Sequence, residues 1–223
     1  MVLEFIGKYY SYFVRGTIVT LNLSFFGVLL GVFIGIVLAL LKLSKNKILR
    51  AFAAAYIEIV RGTPLLLQLY LVYYGLPRLT GLDIPSMPLG IIAVSLNSGA
   101  YVAEIIRAGI LAVDKGQMEA ARSLGMPHGM SMRYIIIPQA IKNILPALGN
   151  EFIILIKESA IVSIVGISDL MYNTDTLRGI TYKPFMPLVI AAVIYFVITF
   201  TLSKVIGALE RRLRAGDSNI QSA

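Results

Sequence analysis

The sequence predicts an all-α integral membrane domain of about five transmembrane helices plus short cytoplasmic helices, and three observations carry that prediction. The first is composition: 57% of the residues are apolar, mean hydropathy is +0.81, and only 14% are charged, against roughly 25% in a soluble domain. The second is a set of five apolar runs, each close to the ~20 residues that cross a hydrocarbon core. The third is the placement of Lys and Arg, which collect in short clusters between those runs. The net charge of +8 therefore reads as the signature of membrane-flanking loops rather than of nucleic-acid binding. With no cysteine and one histidine, His128, disulfides are excluded and no metal site is expected.

The first run, 16–41, carries Gly27, Gly31 and Gly35 at four-residue spacing, which lets a second helix approach closely. Glu4 stands where a signal peptide would be basic, so a cleavable leader is not expected. The second run, 52–75, contains Glu58 and Arg61, three residues apart; they are expected to form a structural pair near the cytoplasmic end, substrate contact being the alternative. A short outer loop, 76–86, precedes the third run, 87–112. The fourth, 144–166, is joined to the fifth, 185–208, by a second outer loop, 167–184. Twelve basic residues lie after the first and third runs and at or beyond the end of the fifth, including Lys42, Lys47, Arg50, Arg122, Arg212 and Arg214, and five lie on the opposite side. The positive-inside rule then puts the N-terminus outside and the C-terminus in the cytoplasm. Nothing divides the chain, so residues 1–223 are expected to form a single domain.

The long connection between the third and fourth runs is too polar to span and too patterned to be slack. Residues 117–124 are largely helix formers, and Gly125 stands where a left-handed cap ends a helix. Pro127 keeps Met126 out of helical geometry. A second amphipathic segment, 130–137, is expected to stop at Pro138. The pattern predicts a rigid two-helix knob; by spacing alone, an interfacial hairpin fits equally.

Glu119-Ala120-Ala121, then Gly125, then Ile135-x-Ile137-Pro138 resembles the EAA loop of ABC importer permeases, with Ile137 in place of the usual Leu. Arg61 to Leu69, Asn97 to Ile105, Gly149 to Phe152 and Lys157 to Ser159 look like the polar amino-acid branch of that family, the histidine/glutamine/arginine type. The resemblance implies a type I importer permease in the bacterial inner membrane. On that reading the loop at 114–138 docks on a cytoplasmic ATPase, with Gly116, Glu119, Ala120, Ala121, Leu124, Gly125 and Pro138 as its coupling residues. It further implies a second permease copy or homologue and an extracytoplasmic amino-acid-binding protein. ATP and Mg would be bound by the ATPase partner, because the chain contains no Gly-x-x-x-x-Gly-Lys-Ser/Thr loop. No catalytic residue is expected, and no cofactor in this chain.

Polar residues inside spans are costly and face the protein interior. Asn97 and Tyr101 share a face of the third run, and Asn150 and Glu151 are adjacent on the fourth. With Gln68 on the second run they form the candidate substrate path; a carboxylate such as Glu151 suits an ammonium group. Each could equally serve helix–helix hydrogen bonding. An ion-driven carrier would show internal repeats, and none relates 1–110 to 111–223. A membrane enzyme would need a nucleophile-and-base set or a metal cluster, which this residue inventory does not supply.

Overall fold

The computed structural model describes residues 2–221, with side chains described through Leu213; the side chain of Arg214, counted above in the C-terminal basic cluster, lies outside them. Among the described residues every regular element is helical, and none is a strand. Its elements are α1 (Val2–Lys42), α2 (Lys47–Gly62), α3 (Leu65–Thr80), α4 (Ser86–Leu111), α5 (Lys115–Ser123), α6 (His128–Ser131), a π turn (Met132–Ile136), α7 (Ile137–Glu158), a 3-10 turn (Ser159–Val165), α8 (Leu170–Thr181) and α9 (Met186–Gln221). Among the described residues three stretches are long and apolar enough to cross a bilayer unaided: Val2–Lys42, Ser86–Leu111 and Met186–Leu213. The other two crossings are composite, α2 with α3 and α7 with its 3-10 extension.

The scaffold is built on α1 against α4. Gly27, Gly31 and Gly35 face Val94, Ser98 and Val102, two sets with the same four-residue spacing on facing helices. A Cβ at Gly27 would lie 2.7 Å from Val94 Cγ2, and one at Gly35 only 2.4 Å from Val102 Cγ1. The helices have closed to a distance that only a missing side chain permits, which is how small residues drive association where lipid removes the hydrophobic driving force. Around this seam Leu23, Leu69, Ala93, Val94, Leu155 and Val162 form the main core.

Four expectations are corrected by the structure. The second run is not one helix: Thr63 is extended (φ −119°, ψ 147°) and Pro64 starts a new helix. Proline restricts the residue before it to extended geometry and offers no N–H of its own, so the apolar run continues through a backbone break. The first crossing helix begins at Val2, well before residue 16. The outer loop 167–184 holds α8, started by Asp169, whose carboxylate accepts from Tyr172 N at 2.8 Å. Its Leu170, Thr174 and Leu177 are buried at helical spacing. Lastly, the segment after Pro127 does not stop at Pro138. A π turn, closed by Ile137 N–H to Met132 C=O, leads directly into α7, with Pro138 in the first turn. There the missing proline N–H leaves no interior helical bond unmade.

Candidate functional site

Two regions hold the candidate residues: a knob at one end of the bundle and a buried polar centre within it.

The knob runs from Asp114 to Pro138. Asp114 caps α5 by accepting from Gly116 N at 2.7 Å, satisfying one of the N–H groups a helix start leaves open. The far end closes at Gly125, φ +80°, where Gly125 N–H donates to Arg122 C=O (3.0 Å) and Met126 N–H to Ala121 C=O (3.1 Å). That pair of bonds is a Schellman motif, so the left-handed glycine read from the sequence sets the direction of the exit. Pro127 C=O then accepts from Met130 N and Ser131 N, starting α6, and His128 is its exposed first residue. A local core of Val113, Ile136 and Ala140, flanked by Met118 and Met132, holds the knob to the bundle.

The knob divides its residues cleanly. Ala121 is buried (1% exposed) and Ser131 fully so, while Leu124 is 83% exposed. Glu119, Ala120, Gly125 and Pro138 are also exposed, as is Gly116 beside its cap. An 83% exposed leucine on a helix capped at both ends offers an apolar contact held in fixed geometry.

The polar centre is organised differently from the expected cavity. At the α2–α3 break the side-chain amide of Gln68 donates to Val60 C=O (2.7 Å), Thr63 C=O (3.1 Å) and Thr63 Oγ1 (2.9 Å). Its oxygen accepts from Asn97 Nδ2 at 2.9 Å. Gln68 therefore satisfies backbone that Pro64 leaves open, and its bond from Asn97 ties the break to α4; an unpaired carbonyl at this depth would cost several kcal/mol. On another face of α4, Ser98 Oγ donates to Glu151 Oε1 at 2.9 Å. Glu151 is 6% exposed, buried in the α4–α7 contact. Ser98 was missed in the sequence, where a serine between Asn97 and Gly99 reads as one more small packing residue; its signal is the four-residue register with Val94 and Val102.

Tyr101 is 37% exposed, and the Arg61 guanidinium lies 5.4 Å from its ring centroid. The expected Glu58–Arg61 pair is not formed: Arg61 stacks on Tyr101, and Glu58 is exposed without an ion pair. Asn150 is exposed beside buried Glu151. The structure thus joins Gln68 to Asn97 and Glu151 to Ser98, and leaves Tyr101 and Asn150 on open surface. No group of three His, Cys, Asp or Glu is placed to hold a metal among the described residues.

Residues 31–215 match the family described as the binding-protein-dependent transport system inner membrane component. The chain belongs to this family. It is a multi-pass inner membrane permease subunit, and a permease of this kind works with an ATPase and a binding protein. A Rickettsia bellii protein bearing the name of a glutamine transport system permease is 48% identical, over 91% of this chain and 93% of its own length. The arginine transport system permease protein of Bacillus subtilis is 45% identical, over 92% and 94%. A solved structure titled as an amino acid ABC transporter with histidines superposes with a TM-score of 0.91 at 55% identity, covering 95% of the permease and 98% of that chain. A methionine ABC transporter chain shares the fold at 21% identity, TM-score 0.70.

Proposed function

We propose that this permease forms the translocation path for polar amino acids, basic ones among them, in an ATP-driven importer, and that its knob at 114–138 is the handle by which the ATPase moves it. The observation that carries the reading is the knob's construction: capped at Asp114, closed at Gly125, and showing Glu119, Ala120 and Leu124 outward over a buried Ala121. Such a piece transmits a push without bending. Gly116, Gly125 and Pro138 act by shaping it, and Ala121 by holding it together. ATP and Mg belong to the partner, and residues 1–223 act as one domain.

For the path, Glu151 supplies the carboxylate that an ammonium or guanidinium group needs. Its bond to Ser98 is the contact that would be exchanged on opening. Asn97 and Gln68 hold the wall of the path. Tyr101 and Asn150, exposed polar groups within spans, face a second permease copy or homologue rather than lipid, because polar groups in spans turn toward protein or water. The basic clusters support an outside N-terminus and a cytoplasmic C-terminus. The relatives named for glutamine and arginine support the substrate class.

The test is to purify the permease with its ATPase and binding protein in lipid and measure ATP hydrolysis and uptake across a panel of amino acids. Stimulation by glutamine or a basic amino acid, and loss of uptake of cationic substrates in Glu151→Gln, is the expected result. No stimulation by any amino acid removes the substrate reading. Unchanged uptake and preference in Glu151→Gln removes Glu151 from the path.

A further inference from the structure

Where α1 ends and α2 begins, a concavity of about 540 Å³ opens beside the end of α4. Its lining includes four cationic side chains, Lys42, Lys47, Arg50 and Arg107, set among Leu43, Leu111 and two alanines. Glu104 is the carboxylate beside it, paired with Lys42 and, at 2.8 Å, with Arg107 Nε. Four cations against that one carboxylate leave three positive charges. Lys47 and Arg50 are exposed and unpaired. Neither function assigned above uses them.

Position selects the ligand class. Three helices terminate here, at Lys42, Lys47 and Leu111, so the concavity lies at the level where hydrocarbon gives way to headgroups. Half its lining is apolar, and two of those residues, Leu43 and Leu111, are exposed. A soluble anion would use the cations and leave the leucines against water. A phospholipid with a net negative headgroup satisfies both, its phosphate on the basic side chains and its acyl chains on the apolar rim. Basic concavities between spanning helices at a membrane face bind such headgroups, and arginine suits phosphate by its forked donors.

We propose that this concavity is a binding site for an anionic phospholipid, with Lys47 and Arg50 holding the phosphate and Leu43 and Leu111 meeting the chains. Lys42 and Arg107, already engaged by Glu104, supply field rather than direct grip. The inference is independent of which amino acid is carried and of how the knob is gripped. It needs only that the ends of α1, α2 and α4 lie at the membrane surface.

The test is the relative affinity of spin-labelled phosphatidylglycerol over phosphatidylcholine for the complete transporter, reconstituted in vesicles of mixed composition. Each basic residue near a membrane surface contributes about fivefold in affinity. Lys47→Gln or Arg50→Gln is therefore expected to lower the phosphatidylglycerol preference about fivefold, and the pair about twenty-fivefold. The exchange Lys47→Arg with Arg50→Lys keeps the preference. Arg211→Gln with Arg212→Gln, an exposed basic pair toward the end of α9, is expected to lower it less than the Lys47 and Arg50 pair. An equal loss in that control pair means diffuse attraction by surface charge and overturns the site. Displacement of the lipid by millimolar inorganic phosphate overturns the lipid assignment in favour of a free anion. A preference present in the permease alone and abolished by adding the ATPase assigns the concavity to a protein interface and overturns it as well.

Discussion

The α1–α4 seam and the α2–α3 break lie in the same core and meet the same constraint, that no polar group inside a bilayer stays unpaired, in opposite ways. The seam removes side chains: glycines every four residues bring two unbroken helices together with no hydrogen bond needed between them. The break opens backbone at Pro64 and then fills it with polar side chains, Thr63, Gln68 and Asn97. One region is held by shape and the other by hydrogen bonds. The difference teaches that steric tolerance is least at the seam, while chemical tolerance is least at the break.

Substitution at the seam should have the largest effect. Gly35→Leu forces atoms into space where a Cβ alone would lie 2.4 Å from Val102 Cγ1. Overpacking of this sort costs typically 1–3 kcal/mol and more where backbone must move; the expected outcome is loss of folded permease, read as proteolytic resistance of membrane-inserted protein. A variant that inserts and resists protease normally would show that the seam is looser than described.

Asp169 sharpens the comparison because it lies where the two strategies meet. Gly16 of α1 lets the first turn of α8 approach, a Cβ there meeting Leu170 Cα at 2.7 Å, and that closure buries Asp169 completely. Burial pushes its carboxyl up to about 6, opposed by backbone N–H donors from Tyr172 and Met171, and Oδ2 has no partner. A raised carboxyl pKa means the folded state holds its proton more tightly than the unfolded chain. The stabilising contribution is then full below the ordinary value of 3.8 and is lost as pH rises to about 6. By linkage the difference reaches about 3 kcal/mol. Asp169→Asn keeps a capping side chain, so its stability should exceed the parent's above pH 6 and match it near pH 4, as thermal unfolding in detergent would show. Equal pH profiles would place the carboxyl in water.

At the break, Gln68→Leu leaves the Val60 and Thr63 carbonyls and the Asn97 amide without their partner. Each buried group left unpaired costs about 1–3 kcal/mol, and a fall in unfolding temperature of several degrees is expected; Gln68→Glu should lose at least as much, because it keeps an acceptor for Asn97 but sets a carboxylate without a donor against the Val60 and Thr63 carbonyls. A neutral Gln68→Leu would mean that water fills the break. Gly125→Ala is the mildest: its left-handed φ costs about 1–2 kcal/mol with a side chain, but the knob lies where water can satisfy the freed carbonyls. A small drop in stability with a larger drop in coupled ATP hydrolysis is the expected pattern.

How much of this was legible follows the same division. The glycine spacing on α1 was visible because a steric pattern is local and periodic, and Gly125 was visible because only a left-handed residue ends a helix that way. The break at Pro64 was hidden by the leucines after it, since hydropathy carries no record of hydrogen bonding. The three bonds Gln68 donates at the end of α2 were hidden for the same reason. Ser98 was hidden because its partner, Glu151, is 53 residues away. Helix α8 was masked by its Asp, Thr and Gly content, although Asp169 followed by Leu170, Thr174 and Leu177 is a capped amphipathic pattern.

The most direct measurement uses the absence of native cysteine. A single cysteine placed at Leu124 and, separately, at Ala121 reports each position alone when the membrane-embedded transporter is treated with a short bifunctional crosslinker. Capture of the ATPase is expected from position 124, which is 83% exposed, and not from position 121, which is 1% exposed. Failure of position 124 to capture an ATPase in a transport-competent complex would contradict the knob's role as the ATPase's handle.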